Sequence, residues 1–213
     1  VKPAGLANPA AEIRRVFAGQ LCTSAQIDAF VDEHPVELGC VLGFIAVSEA
    51  EHSAFPATPL WLSHHYPETD RIVEALRGTI CRNPDCEYCR RRSNLTAALK
   101  DYFGFDGFRV YEGDKESLQE AAAASAVAGE SLLAIFPTGG GKSITFQLPA
   151  LMAARATAGL TVVLSPLQSL MKDQVDNLEK KEIFAAVTIN GLVTLLERQA
   201  AFEEIERGRA ALL

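Results

Sequence analysis

The sequence lacks the features that mark a membrane or secreted protein. None of its apolar runs approaches the roughly 18 residues that cross a bilayer, and its N-terminus has no charged, apolar and cleavable signal pattern. Cysteine is scarce, and five residues, an odd number, do not make a disulfide framework. The sequence therefore predicts an intracellular protein, cytoplasmic, nucleoid-associated or nuclear, without a membrane partner, whose cysteines are thiols or metal ligands.

An excess of positive charge is also missing. The chain has 20 Lys and Arg against 27 Asp and Glu, a formal net charge of −7. This balance argues against a surface that is basic throughout, but it still allows a local basic groove, because field focusing depends on where the charges lie. Hydrophobic residues make up 48% of the 213 positions, which is enough for one good-sized core or two small ones.

One stretch has the pattern of a phosphate-binding loop. Segment 132–136 is predicted to be a strand and 144–154 a helix, and three glycines between them let successive N–H groups turn inward around an anion. Lys142 would reach the β- and γ-phosphates and Ser143 would bind Mg²⁺, so both are also candidate catalytic residues. An ordinary glycine-rich turn is the alternative, because Phe136 stands where the looser motif begins with glycine. The candidate cofactor-binding residues of the loop are Thr138, Gly139, Gly140, Gly141, Lys142 and Ser143.

A second strand-to-helix junction, Ser-Pro-Leu-Gln-Ser-Leu-Met-Lys-Asp-Gln-Val, follows the loop motif Pro-Thr-Gly-Gly-Gly-Lys-Ser. This series of motifs resembles the RecQ-type DNA helicases of superfamily 2, in register from about Leu95 to Leu213. The resemblance implies an α/β fold: an incomplete RecA-like P-loop NTPase lobe with parallel strands over 95–213, preceded by a mainly helical auxiliary region over 1–94. It also implies an ATP-dependent 3′ to 5′ DNA helicase of DNA repair or recombination, with ATP and Mg²⁺ as cofactors and single-stranded or forked DNA as partner.

The resemblance also indicates where DNA would bind. Segment 165–174 corresponds to family motif Ia, which contacts the sugar-phosphate backbone, and a helix start suits that task because amides and hydroxyls bind phosphate without reading sequence. Apolar residues of the same helix, such as Leu167 and Leu170, are expected to form its buried face. Asn190-Gly191 ends a predicted third strand and resembles motif Ib, although an Asn-Gly pair is also a common turn. The candidate DNA-binding residues are Ser165, Pro166, Ser169, Lys172 and Asn190.

Upstream of the loop, the resemblance covers a helix over 95–103 and a Phe-Gly-Phe-Asp-Gly-Phe-Arg element that ends at Arg109. Ser93 is the expected N-cap of this helix, and Gly104 its expected end. The family places a glutamine after the arginine to read the adenine edge, and Gln119 fits by its spacing to the loop. Arg109 and Gln119 are therefore candidate nucleotide-binding residues. Nine residues separate them where the family has only a few, so an ordinary exposed glutamine at a helix start is the alternative for Gln119.

Two parts of a complete helicase motor are missing from these 213 residues. Superfamily 2 helicases hydrolyse ATP with an Asp-Glu pair on a later strand and an arginine from a second lobe. Beyond Asn190 the sequence predicts a charged helix over about 195–207 and then the beginning of a strand at 208–213. The expectation is an N-terminal fragment that binds nucleotide weakly and hydrolyses no ATP alone, since such an arginine is commonly worth about 10³ to 10⁵ in rate.

The region 1–94 has no recognised match but contains one local motif. Cys81, Cys86 and Cys89 follow a Cys-x4-Cys-x2-Cys spacing, and a turn at 83–85 would direct all three sulfurs at one metal ion. The interpretations are zinc, an iron-sulfur group of similar spacing, or plain thiols. A zinc-bearing DNA- or protein-recognition module joined to a vestigial ATPase is the rival function. His64 is the preferred fourth ligand, and the alternatives are His65, Cys40, Cys22 and His52.

Other predictions for this region concern helices and charge. A helix is predicted at 24–34, capped by Ser24, and another at 67–76, with Thr69 as its candidate cap. An apolar segment at 38–47 is expected to be buried. The arginines after the last cysteine either bind DNA phosphates or form a solvated charge run. They are Arg90, Arg91 and Arg92.

Overall fold

The structure is a computed structural model that describes residues 8–50, 60–78, 80–81 and 83–213. The chain divides into two compact units, Val1–Arg92 and Ser93–Leu213, which we call the N-terminal unit and the C-terminal unit. Among the helices of the described ranges, none is both long and apolar enough to cross a membrane.

Short helices build the N-terminal unit. They are α1 Pro9–Val16, α2 Ile27–Glu33, α3 Pro35–Ala50, α4 Leu60–His65, α5 Glu68–Val73 and α6 Glu87–Arg92. Asn8 caps α1 by accepting a 3.0 Å hydrogen bond from Ala11 N, and Pro9 at the first helical position fixes a backbone angle that suits the helix. α5 continues directly into a π-helix over Glu74–Gly78.

The N-terminal unit has a well-buried apolar core. Helices of six to eight residues are not stable alone in water, so their order depends on burying one face against a neighbour. Full burial of one aliphatic side chain stabilises the folded state by about 1.5–3 kcal/mol relative to leaving it exposed. The residues with no exposed area include Ile27, Val41, Leu62, Ile72, Leu76 and Cys86.

Segment 38–47 lies in α3, and only four of its ten residues are buried, so the prediction of a buried segment is confirmed in part. Leu38, Val41, Leu42 and Ile45 are buried at helical spacing, whereas Val47 is 54% exposed. This spacing puts one apolar stripe of α3 on the core and leaves the rest of the helix facing outward.

Both predicted caps in the N-terminal unit are wrong. α2 begins at Ile27 and not near Ser24. Thr69 lies inside α5, fully buried, and its hydroxyl donates to Tyr66 O at 2.7 Å. The hydroxyl therefore binds back to the preceding turn, which is a common alternative to capping for threonine.

The C-terminal unit has five helices in its described residues. They are α7 Leu95–Phe103, α8 Leu118–Val127, α9 Ile144–Thr157, α10 Gln168–Glu179 and α11 Leu195–Glu206. Asn94, and not the predicted Ser93, caps α7 by accepting from Ala97 N at 3.0 Å. Gly104 ends α7 in a left-handed conformation with φ +72°, as predicted, because glycine adopts this angle without a steric penalty.

The predicted parallel sheet is present only as single bridges. Leu212 forms parallel bridges with both Thr161 and Ala186. The hydrogen bonds from Val163 N to Leu213 O at 2.7 Å and from Val187 N to Leu212 O at 2.9 Å extend this pairing. The predicted strands near 160 and 184 thus lie on either side of the segment ending at Leu213.

No continuous strand forms in the described residues, so the α/β architecture is not established by this structure. Segment 132–136 has no regular secondary structure and no bridge to another described segment. Leu133 and Ile135 are 87% and 81% exposed in consequence, and Leu164 is 92% exposed. The physical reason is that a strand becomes regular only when neighbours pair with its backbone groups.

Candidate nucleotide-binding site and cysteine cluster

The loop before α9 has the backbone of a phosphate-binding turn. Gly139 and Gly141 adopt left-handed φ angles of +73° and +66°, which side-chain-bearing residues rarely adopt. Gly140 between them is buried and leaves no room for a side chain, because a Cβ there would lie 2.7 Å from Pro137 O. Ser143 follows as the N-cap of α9 and makes no capping hydrogen bond with its side chain. The glycines, together with the N-terminus of α9, can therefore receive an anion.

Lys142 folds back over the beginning of this loop. Its Nζ donates to Phe136 O at 3.1 Å and to Pro137 O at 3.5 Å. Both partners are neutral carbonyl groups, whereas a phosphate oxygen carries a charge opposite to that of the ammonium and would bind it more strongly. The side chain lies where it can exchange these contacts for a phosphate oxygen.

Gln119 is buried in contact with the same loop. Its Nε2 donates to Gly140 O at 3.2 Å and to Gly141 O at 3.1 Å, while its Oε1 accepts from Arg109 N at 2.8 Å. Only 3% of the residue is exposed, so the interpretation as an ordinary exposed glutamine is wrong. Ser117 caps α8 and donates to Arg109 O at 2.8 Å, which fixes the segment that carries both nucleotide candidates.

Two further side chains bind loop carbonyls. The Arg109 guanidinium donates to Gly139 O at 2.8 Å, and the Tyr111 hydroxyl donates to Gly140 O. Tyr111 belongs to the nine-residue segment between Arg109 and Gln119, and sequence reasoning missed it. The only available signal was an aromatic residue inside a segment that the resemblance treats as extra.

The candidate DNA residues lie around the start of α10. Pro166, Ser169 and Lys172 are exposed, while Ser165 is partly buried and accepts a weak 3.4 Å hydrogen bond from Leu167 N. The expected buried face of α10 is not found, because Leu167 and Leu170 are 60% and 43% exposed. The described residues of α10 include one that is buried, Leu178.

The turn at Asn190 lies close to this helix start. Asn190 Oδ1 accepts from Leu192 N at 2.8 Å, as in an ordinary Asx turn. A Cβ placed on Gly191 would lie 3.4 Å from Gln168 Nε2, so the turn is next to the first residue of α10. One hydrogen bond also joins α10 to the helix after the loop, from Gln147 Nε2 to Gln174 Oε1 at 2.8 Å.

In the N-terminal unit, four cysteine side chains come together. The sulfurs of Cys22, Cys81, Cys86 and Cys89 all lie within 4.8 Å of one another, and Cys22 and Cys89 are 3.5 Å apart. We call these four residues the cysteine cluster. Sequence reasoning preferred His64 as the fourth member, but the structure places Cys22 there.

The remaining ligand candidates are elsewhere. His64 and His65 are exposed on α4, and His65 Nδ1 lies 2.8 Å from Trp61 O. Cys40 lies on α3 outside the cluster. His52 falls outside the described residues.

Local turns position the cluster. Asn83 begins a turn in which its side chain accepts from Asp85 N at 3.0 Å and its carbonyl accepts from Cys86 N at 3.1 Å. Cys86 then directly precedes α6, so Cys89 lies one helical turn later on the same side. Cys22 is fixed from the other side by its N–H, which donates to Leu76 O at 3.0 Å.

The four thiols differ in acidity. A hydrogen bond from the Asn83 backbone lowers the pKa of Cys81 to about 6. Burial raises the pKa of Cys86, but hydrogen bonds to its sulfur outweigh burial and leave the pKa lowered. Burial raises the pKa of both Cys22 and Cys89. Two of the four thiols are therefore more acidic than an ordinary cysteine and two are less acidic.

The arginines after the cluster have structural partners. Arg91 donates to Gly19 O, and Arg92 donates to the carbonyls of Arg77 and Gly78, the latter at 2.7 Å. Two of the three arginines therefore fasten α6 to neighbouring backbone, a role that neither sequence interpretation included.

Comparison with known proteins finds similarity to helicases over part of the chain. Residues 116–213 match the family model described as DEAD/DEAH box helicase. The sequence is similar to ATP-dependent DNA helicase Q5 of Mus musculus, with 38% identity over 120 residues, 56% of the chain and 11% of the relative. It is 48% identical to ATP-dependent DNA helicase RecQ of Bacillus subtilis over 88 residues, 41% of the chain and 13% of the relative. It is 36% identical to ATP-dependent DNA helicase RecQ of Synechocystis over 122 residues, 57% of the chain and 23% of the relative. The chain therefore spans less than a quarter of the length of each of these three relatives.

Proposed function

We propose that the chain supplies the nucleotide-binding part of an ATP-dependent DNA helicase, because residues 116–213 match the DEAD/DEAH box helicase model and the chain is similar to RecQ-type helicases. The proposed reaction is 3′ to 5′ movement along single-stranded or forked DNA, in DNA repair or recombination. The observation that carries the proposal is the loop Gly139–Ser143, with two left-handed glycines and a lysine above the start of α9.

In this function the loop binds ATP and Mg²⁺. Backbone N–H groups from Thr138 to Gly141 surround the phosphates, Lys142 neutralises the β- and γ-phosphate charge, and Ser143 binds Mg²⁺. The free Ser143 side chain at the cap of α9 supports this role.

Gln119 is the proposed contact to adenine and Arg109 a further nucleotide-binding residue, and their present hydrogen bonds suggest how nucleotide binding would affect the loop. The polar atoms of Gln119 are paired with Arg109 N and with the loop carbonyls. An adenine edge would have to replace some of these bonds, so base binding and loop conformation are linked through the same amide.

DNA is proposed to lie over the start of α10. Ser169 and Lys172 are exposed there, and Asn190 lies in the neighbouring turn. Ser165 and Pro166 form the turn that begins the helix. The hydrogen bond between Gln147 and Gln174 joins α10 to the helix that follows the phosphate loop. The proposed DNA site and the proposed nucleotide site are therefore linked through two helices in contact.

Hydrolysis requires more than these residues. By the resemblance, Mg²⁺ and the attacking water need an Asp-Glu pair on a later strand, and the transition state needs an arginine from a second lobe. Arg109 does not fill that role, because it is assigned to nucleotide binding and donates to Gly139 O. We expect the 213-residue polypeptide to bind nucleotide and to show no ATPase activity above background, with or without single-stranded DNA. A DNA-stimulated rate that disappears in Lys142→Ala would overturn this expectation.

A titration with fluorescent ATP tests the nucleotide site. Lys142→Ala removes the side-chain charge aimed at the phosphates, and we expect at least a tenfold loss of affinity, about 1.4 kcal/mol. Lys180→Ala, at an exposed position after α10, is the matched control and should bind like the wild type. Equal affinities for Lys142→Ala and wild type would show that Lys142 does not bind the nucleotide phosphates.

The rival function, a recognition module joined to a vestigial ATPase, is not favoured, because the helicase family model covers the whole segment that contains the loop. Zinc, the remaining predicted cofactor, would belong to the cysteine cluster and not to the nucleotide site.

A further inference from the structure

We propose that Cys22, Cys81, Cys86 and Cys89 form a closed, four-thiolate zinc site in the N-terminal unit. The site is separate from the nucleotide chemistry, and its ligand set includes a residue far from the Cys-x4-Cys-x2-Cys motif in sequence. Zinc in this site would be structural, because four protein ligands leave no coordination position for water or substrate.

The distances suit one tetrahedral ion. A Zn–S bond of about 2.3 Å places neighbouring sulfurs of a tetrahedron about 3.8 Å apart. The Cys22 and Cys89 sulfurs are 3.5 Å apart, and all four lie within 4.8 Å of one another. Small side-chain rotations therefore suffice to bring the four sulfurs to the distances that zinc requires.

The same closeness argues against an iron-sulfur cluster. Such a cluster places several iron atoms and bridging sulfides between the cysteines, so it needs its thiolates farther apart than a single ion does. Cys86, Cys89 and Cys22 are only 0%, 2% and 4% exposed, which leaves the cluster little access to solvent. Four thiols at this spacing, three of them buried, are typical of a structural zinc site.

Backbone N–H groups already point at the sulfurs. Thr23 N donates to Cys86 Sγ and Cys81 N donates to Cys89 Sγ, both at 3.3 Å. Donors of this kind stabilise charge on ligating sulfur and orient it, as outer partners do at known metal sites. The surroundings of the cluster thus suit thiolates bound to a cation better than four neutral thiols.

The site would join distant parts of the unit. Cys22 lies between α1 and α2, and Cys89 is 67 residues later in α6. Around the cluster, the turn at Asn83 is exposed and contributes little apolar packing of its own. One ion would fasten this turn to the helices that form the core.

Metal analysis of the full chain is the first test. Protein purified under reducing conditions without added metal should contain one zinc per chain. Cys22→Ser should contain less than half of that amount, whereas the matched control Cys40→Ser and the variant His64→Ala should keep one zinc. Less than about 0.2 zinc in the wild type, against the one ion that a closed site retains, or iron in its place, would overturn the proposal.

Cobalt substitution identifies the ligands even if Cys22→Ser folds poorly. Wild-type protein loaded with Co²⁺ should show the strong thiolate-to-cobalt charge-transfer absorption and the visible bands of a tetrahedral four-sulfur site. Cys22→His keeps four ligands but replaces one sulfur by nitrogen, so its bands should move to shorter wavelength and its charge-transfer absorption should fall by about a quarter. An unchanged spectrum in Cys22→His, or a changed one in His64→Ala, would show that Cys22 is not the fourth ligand.

Discussion

The two units of this protein differ in how their apolar residues are placed. In the N-terminal unit the large apolar side chains of several short helices are fully buried, Ile27 and Leu76 among them. In the C-terminal unit, the segment before the phosphate loop exposes Leu133 and Ile135, and Leu164 after the loop is 92% exposed. Yet the family match covers residues 116–213, in the unit with the less complete packing.

The difference shows that a recognisable site and a well-packed core have separate causes. The phosphate loop is recognisable because an anion demands particular backbone angles at Gly139 and Gly141 and a cation at Lys142. Core packing makes weaker demands on the sequence, since many combinations of apolar residues fill a similar volume. A good core therefore constrains the sequence less than a phosphate-binding turn does.

Removing zinc should produce the largest difference between the units. Apparent binding free energies of about 10–16 kcal/mol for structural zinc are comparable with the whole stability of a small domain, about 5–15 kcal/mol. With a strong chelator under reducing conditions, amides around Cys81 and Cys86 should lose most of their protection from hydrogen exchange. Protection in α9 should not change, and a parallel loss there would mean that the units do not respond separately.

A pair of leucine substitutions tests the difference in packing. Leu76→Ala removes a fully buried side chain and should destabilise the N-terminal unit by about 2–5 kcal/mol. Leu133→Ala removes a side chain that is 87% exposed and should change stability by no more than about 0.5 kcal/mol. Urea denaturation followed by hydrogen exchange of peptides from each unit measures both values. A larger effect for Leu133→Ala would contradict the comparison.

Gly140→Ala should damage the phosphate loop by crowding. The added Cβ would lie 2.7 Å from Pro137 O and 2.8 Å from the Tyr111 hydroxyl, and overpacking of this kind costs about 1–3 kcal/mol. We expect about a tenfold loss of nucleotide affinity by fluorescence titration, equivalent to about 1.4 kcal/mol.

Two variants serve as controls for the loop. Gly107→Ala adds a Cβ that meets nothing within 4 Å, so it should bind nucleotide like the wild type. Adding Tyr111→Phe to Gly140→Ala removes one of the two close contacts and should restore part of the affinity. No improvement in the double variant would mean that Tyr111 does not determine the loop conformation.

The smallest expected effect concerns helix caps and pH. Thr194 and Glu197 form a capping box at the start of α11, and the hydrogen bond from Thr194 N lowers the pKa of Glu197. Because the folded pKa is below the unfolded one, this stabilisation is complete at neutral pH and is lost as the pH falls through the lowered pKa. The Asn8 cap of α1 has no titratable group, so any such dependence in α1 comes from Glu12, whose pKa the hydrogen bond from Arg15 lowers.

Hydrogen exchange of α11 between neutral and acidic pH measures this effect. Glu197→Gln keeps a side chain that can accept the same bonds, so α11 should stay folded. Its protection from exchange, measured relative to the intrinsic exchange rate at each pH, should then no longer depend on pH. A pH dependence that is equal in Glu197→Gln and in the wild type would place its origin at another group.

Sequence reasoning succeeded where the relevant residues are neighbours in the chain. Gly104 ends α7, and α11 at Leu195–Glu206 is close to the predicted 195–207, because caps, breakers and helical periodicity act over a few residues. It failed for Ser24 and Thr69, since a hydroxyl that can cap a helix can equally bind a nearby carbonyl, as Thr69 does.

Predictions that depend on distant partners were less complete. The strands near 160 and 184 are found only as bridges on either side of Leu212, since a strand exists through the backbone that pairs with it. Burial of Leu167 and Leu170 was predicted from helical spacing, but spacing gives the relative position of two side chains and not the presence of a surface that covers them.

The sequence by itself determined the residue types of each proposed site: a glycine-rich turn with Lys142, proposed to bind phosphate, and three cysteines with a spacing that suits one metal ion. Only the tertiary structure decided which residues complete those sites. It brought Cys22 rather than His64 to the other cysteines and buried Gln119 against the loop carbonyls. The reason is that neighbours in sequence share a local geometry that the chain fixes directly, whereas residues tens of positions apart meet only when burial of apolar surface and pairing of backbone groups select one arrangement of the whole unit.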